Sequence, residues 1–182
     1  PDSPLNSKED FLAQGVGEEY SGSFLLKAWL GDFTLKAGFN DRTQQIPTGA
    51  YETIFGDTRT QVQDDRFFAE LVHAPKLSDK LTLSSRLFVD SFGYSGQFAY
   101  EEEDDGLMTE HYRGYALGTE VRTDYAPAAW SRFTLGGEYQ FHFKNQAQGS
   151  SEAGLFLDEK HPYHSAAAFA IANIDLFDWW SI

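Results

Sequence analysis

The stretch FTLGGEYQFHF, residues 133–143, alternates without a break. Phe133, Leu135, Gly137, Tyr139, Phe141 and Phe143 hold the odd positions; Thr134, Gly136, Glu138, Gln140 and His142 hold the even ones. Alternation with period two is the mark of a β-strand, because successive side chains point to opposite faces of the sheet. This strand therefore has an oily face and a wet face, and its fold depends on what each face meets. In a soluble sandwich the oily face packs into a core and the wet face meets solvent. In an outer-membrane barrel the oily face meets lipid and the wet face lines a lumen.

The same pattern recurs along the chain. Tyr20, Phe24, Leu26 and Leu30 share one phase; after Gly31-Asp32, a pair suited to a tight turn, Phe33, Leu35, Ala37 and Phe39 share the next. A third strand over residues 65–74 is less clean, with Phe68 and Val72 out of phase. Leu81, Leu83, Leu87 and Val89 mark a fourth, and Tyr115, Leu117, Val121 and Tyr125 a fifth, before the turn at residues 127–131 leads into the opening stretch. A last strand over residues 165–174 is too rich in alanine for its faces to be assigned, and Trp179-Trp180 looks like the start of another.

The links alternate as well. Those after the first, third, fifth and seventh strands are of hairpin length. Those after the second, fourth and sixth, residues 41–64, 96–110 and 146–164, are long. All short links then lie at one end of the sheet and all long ones at the other, the polarity of bacterial outer-membrane barrels. Lys27, Lys36, Glu70, Arg86, Asp90, Glu120, Arg122 and Glu138 stand in mid-strand on wet faces. The pattern predicts an all-β chain: an antiparallel up-and-down transmembrane β-barrel segment, about seven to eight strands of a larger barrel.

Composition agrees with this. The 182 residues carry 28 acidic against 14 basic side chains, a net charge of −14 that argues against nucleic acid phosphate as a partner. Aromatics make up 16 % of the chain while the mean hydropathy is −0.45, a mixture that suits many alternating strands. The longest apolar run, AAAFAIA at residues 166–172, falls far short of the roughly 18 residues of a membrane helix. With no cysteine, disulfides and thiolate metal sites are excluded. The chain opens on Pro1 without a signal peptide and reads as a piece of something longer, a partial barrel domain over residues 1–182.

From residue 40 onward, NDRTQQIPTGAYETIFGDTRTQVQDD resembles a barrel segment of TonB-dependent outer-membrane receptors. In that family a strand with an R-x-x-x-I-P-T stretch leads through an aromatic G-T-x-F-x-D-x-R loop into the next strand. The matching residues are Arg42, Ile46, Pro47, Thr48, Thr53, Phe55, Asp57 and Arg59. Gly31-Asp32-Phe33-Thr34-Leu35, Tyr94-Ser95-Gly96, Leu135-Gly136-Gly137-Glu138-Tyr139 and the closing Ile174-Asp175-Leu176-Phe177-Asp178-Trp179 add further likeness, although Ala172-Asn173 stands where acidic or glutamine residues are common. The resemblance implies a 22-stranded barrel with a plugged lumen, in the outer membrane of a Gram-negative bacterium. It implies uptake of a scarce nutrient such as an iron chelate, cobalamin or an oligosaccharide. Implied partners are outer-membrane lipid and lipopolysaccharide, that small-molecule ligand, and the TonB complex through a plug domain that this stretch lacks. Arg42, Tyr51, Phe55, Asp57 and Arg59, all within the first long loop at residues 41–64 and expected to be extracellular, are the candidate ligand-binding residues. A segment of a porin or another outer-membrane barrel, or a soluble β-rich carbohydrate-binding module, is the alternative.

Other chemistry is thin. Glu101-Glu102-Glu103-Asp104-Asp105-Gly106 invites a calcium reading, but the twelfth position is Tyr112 where a calcium loop has glutamate, so a solvated acidic loop tip is expected. Asp158, His161 and His164 could gather around a metal, though His-x-x-His across a proline is weak evidence. No nucleophile elbow, phosphate loop or zinc-protease motif occurs, so neither an enzyme nor a cofactor or metal site is expected. Aromatic residues near strand ends (Phe39, Tyr94, Tyr112, Tyr125, Phe141 and Phe143) fit either a girdle at a membrane interface or mutual packing that anchors loops.

Overall fold

The computed structural model describes residues 15–101, 106–177 and 180–181. Each alternating stretch forms a strand: β1 (Glu19–Leu30), β2 (Phe33–Gln45), β3 (Gln61–His73), β4 (Lys76–Ser78), β5 (Leu81–Ala99), β6 (Leu107–Ala128), β7 (Ser131–Ser151), β8 (Gly154–Lys160), β9 (Tyr163–Phe177) and β10 (Trp180–Ser181). Neighbours pair antiparallel in chain order, β1-β2-β3-β5-β6-β7-β9-β10. The short β4 extends the hairpin beside β5, and β8 lies beside the outer half of β7. The result is one up-and-down antiparallel sheet, as the alternation predicts. Among the described residues β1 and β10 do not pair, so the sheet is open.

Several strands are longer than the oily alternation indicates, and the expected long links shrink accordingly. β5 continues to Ala99 and β6 starts at Leu107, so most of residues 96–110 is ladder. β7 runs on to Ser151, and β8 returns beside it through a turn at residues 152–153. Of the links expected to be long, the first, residues 46–60, remains an extended loop, with a single 3-10 turn at Ala50–Glu52. The physical reason is that a strand needs partners, not oil. Beyond Val89 the β5 face reads Ser91, Gly93, Ser95 and Gln97, which pairs as well as any apolar run but carries no hydrophobic period.

Register slants the sheet. The row Phe33–His73–Ser85–Val121–Gly137 runs beside the turn after β1. The turn after β6 lies about six residues lower; at ~3.4 Å per residue and ~4.8 Å between strands the turns descend at a slant of about 45°. A bulge leaves Phe143 unpaired between His142, opposite Ala116, and Lys144, opposite Tyr115. The phase of β7 therefore inverts there, which is why the oily alternation stops at Phe143.

The two faces differ sharply. On the odd face of β7 Leu135 is 66 % exposed, and across the sheet Phe24, Leu35, Leu87, Leu117 and Val121 are exposed on the same side. Among the described residues the buried apolar side chains are Phe98, Ala99 and Ala116, so no second layer covers the oily face. Its outer edge is the row Phe24–Phe39–Phe67–Ser91–Tyr115, beyond which the same face turns polar with Asp41, Asp65 and Arg113. The opposite face is charged yet more sheltered. There Arg86 reaches Glu70 at 2.8 Å, Glu120 at 3.6 Å and Glu138 at 3.8 Å, the last across the intervening β6. Such crowding on the polar side, against openness on the apolar side, is what a sheet curled toward its polar face produces.

Candidate functional site

Two places carry possible chemistry: the loop at residues 46–60 and the polar face beneath it. The loop is tied down at both ends. Ile46 N–H donates to the Thr60 carbonyl at 2.8 Å, Ile54 N–H to the Ala99 carbonyl at 2.8 Å, and Gly56 N–H to the Pro47 carbonyl at 2.9 Å. Thr60 is wholly buried, and its Oγ1 accepts the Ala99 N–H at 3.1 Å. The loop is thus fastened to the end of β5.

Within it, the sequence-derived residues play different parts. Asp57 and Arg59 form a fork, with Arg59 Nη2 donating to Asp57 Oδ2 at 2.6 Å and the Arg59 N–H to Asp57 Oδ1 at 2.8 Å. That hydrogen-bonded guanidinium holds the Asp57 carboxyl below the usual range. Tyr51 is 68 % exposed, its ring edge-on to Phe98 at 5.7 Å. Tyr51 and Glu52 both adopt left-handed backbone, φ 61° and 64°, a costly choice for side chains other than glycine that marks an over-determined tip. Phe55 is also exposed. Arg42 stands apart on β2, held by Glu19 at 2.9 Å and by Gln44 at 2.8 Å. The structure therefore brings Tyr51, Phe55, Asp57 and Arg59 into one loop but leaves Arg42 on the strand wall.

The polar face holds what the sequence reading missed. Phe68, Phe88 and Phe92 sit at wet positions, and the rings of Phe68 and Phe88 cover glycines. A Cβ on Gly38 would meet the Phe68 ring, one on Gly118 the Phe88 ring, and one on Gly136 the Phe169 ring, each ring coming from the neighbouring strand. This explains the blurred phase of β3: Phe68 is an apolar residue on the wet face because it fills a glycine gap. Arg86 then stacks on Phe88, its guanidinium carbon 4.3 Å from the ring centre. Next to this lies an open trough of about 410 Å³ lined by Arg66, Arg86, Phe88, Asp90, Phe92 and His142, among others. Arg66 and Asp90 pair across it at 2.9 Å. Farther out, Tyr94 and Tyr112 face each other at 5.5 Å. Burial, with Glu110 nearby, pushes both hydroxyls above their ordinary pKa. These tyrosines lie on the polar side, so they belong to the packing reading and not to an aromatic edge of the oily face.

The remaining candidates do not converge. Asp158 accepts from Gln146 and Gln148, His161 pairs with Glu159 at 2.9 Å, and His164 Nδ1 meets the Tyr139 hydroxyl at 2.6 Å. Among the described residues no group of His, Asp and Glu gathers as a metal site. Residues 102–105 of the acidic run lie outside the described residues. No family model, curated protein or solved structure matches the chain.

Proposed function

We propose that the chain is part of the wall of a TonB-dependent outer-membrane receptor, a barrel that takes up a scarce small-molecule nutrient into the periplasm. The observation that carries this reading is the uncovered apolar band on one face of a sheet whose other face is charged. A soluble β-domain of this length would bury such a face under a second sheet. The dimensions fit: the roughly ten residues from Tyr125 to Tyr115 cover about 34 Å along β6, or about 24 Å in height at a ~45° tilt, close to the ~25 Å apolar band of bacterial barrels. Aromatic residues border the band, as they do at membrane interfaces. The receptor assignment, as opposed to a passive porin, rests on the likeness of residues 40–65 to the family's strand and loop, and on a fastened, strained tip at Tyr51 and Glu52.

The test uses the complete gene product in Gram-negative cells. Removing residues 50–52 should abolish nutrient uptake while the protein still inserts in the outer membrane. Unchanged uptake would move recognition away from this loop; recovery of the intact protein in the soluble fraction would end the membrane reading itself.

A further inference from the structure

The polar-face glycines share a rule with one exception. Gly38, Gly118 and Gly136 are covered by phenylalanine rings from adjacent strands, Gly96 by Phe98 and Tyr94, and Gly149 by Phe156. Gly114 also faces this side and has a phenylalanine, Phe92, as its register partner. Yet among the described residues nothing lies within 4 Å of where its Cβ would be. Phe92 does not close over it and remains 46 % exposed. Both residues line the open trough, with the Arg66–Asp90 pair and His142 at its sides.

We infer that Gly114 and Phe92 form a binding subsite for a planar aromatic ring carrying a polar substituent, supplied by the transported ligand. The covered glycines define the shape: a flat ring laid on bare backbone, with no Cβ to hold it off. At Gly114 the described residues supply the bare backbone and an aromatic wall but no ring to lie on it. A ring placed there would meet Phe92 through aromatic contact, with its substituent near Arg66, Asp90 and His142. A puckered ring would seat less closely on the flat strand. This inference rests on the receptor reading and names the chemical class of its ligand.

The absence of neighbours at Gly114 also makes the site testable, because a side chain can fill the slot without displacing anything. The probes are 4-hydroxybenzoate and its saturated-ring counterpart, 4-hydroxycyclohexanecarboxylate, measured by saturation-transfer NMR on the detergent-solubilised complete gene product. The native protein should bind the planar probe and not the saturated one. Gly114→Leu should insert in the outer membrane normally and lose the binding, and Phe92→Leu should weaken it about fivefold. Equal binding of both probes, no binding by the native protein, or undiminished binding in both variants would overturn the subsite while leaving the receptor reading intact. Failure of Gly114→Leu to insert would mean that another part of the protein fills the slot, and the proposal would fall. Failure of the native protein to insert at all would instead remove the receptor reading beneath it.

Discussion

At the scale of single residues, this protein is organised by what covers a bare backbone. Phe88 over Gly118 is the clearest case, because Arg86 in turn stacks on the ring while holding Glu70. Gly118→Val should force the ring aside and cost about 1–3 kcal/mol, as overpacking does. In a Phe88→Ala background most of that cost should vanish, since the clash is with the ring; a double-mutant cycle on denaturant unfolding from lipid vesicles measures the coupling. Acid should loosen the Asp57–Arg59 fork. The folded pKa of Asp57 lies below its ordinary value, so the fork contributes fully above about pH 3.9 and is lost as pH falls through the depressed folded value. Protection of the Arg59 amide hydrogen, taken relative to its intrinsic exchange rate, should fall over that interval, and Asp57→Asn should abolish that pH-dependent loss of protection. None of these pairings was legible in the sequence. Phe68 and Phe88 look like errors of phase until the partner strand's glycine is known, and register is a property of pairs of strands.

At the scale of elements, hydrophobic alternation located the seven main strands but not their outer ends. β1, Glu19–Leu30, matches the stretch that the shared phase of Tyr20, Phe24, Leu26 and Leu30 marks out, because its apolar residues reach from one end to the other. β7 overruns its span because its outer half is polar on both faces, β5 because beyond Val89 its aromatics, Phe92, Tyr94 and Phe98, sit on the face opposite its leucines, and β8 has no apolar period to announce it. The bulge at Phe143 marks this transition, since beyond it Lys144, Gln146 and Gln148 occupy the side that Phe141 occupied before. The first long loop was recognisable from its residues, but its attachment to β5 was not, because Thr60 and Ala99 are 39 positions apart. That attachment makes a prediction of its own. Thr60→Val removes the acceptor of a buried Ala99 N–H and should cost about 1–3 kcal/mol. It should also release the loop, seen as faster amide exchange across residues 46–60, while Thr58→Val, at an exposed neighbour, should leave exchange unchanged.

At the scale of the molecule, the arrangement is the reverse of a soluble domain: charge is sheltered and oil is exposed. With the oily face proposed to meet lipid, the cost of charge on it should vary with depth. Arginine at Leu135, Gly137 or Tyr139 should cost roughly 2–4 kcal/mol near the midplane, falling to about 0–1 kcal/mol at Phe133 and Phe143. Gln140→Arg, on the polar face beside Glu138 and His142, should be tolerated. A buried protein core would also penalise arginine, so the decisive measurement is contact with lipid itself. Nitroxide probes placed singly at positions 135 and 140 of the complete gene product in lipid vesicles report it through relaxation by apolar and by water-soluble agents. If the oily face meets lipid, position 135 responds to oxygen dissolved in the acyl chains and position 140 to a water-soluble nickel chelate. Shielding of position 135 from both agents would place it inside a protein core and contradict the barrel.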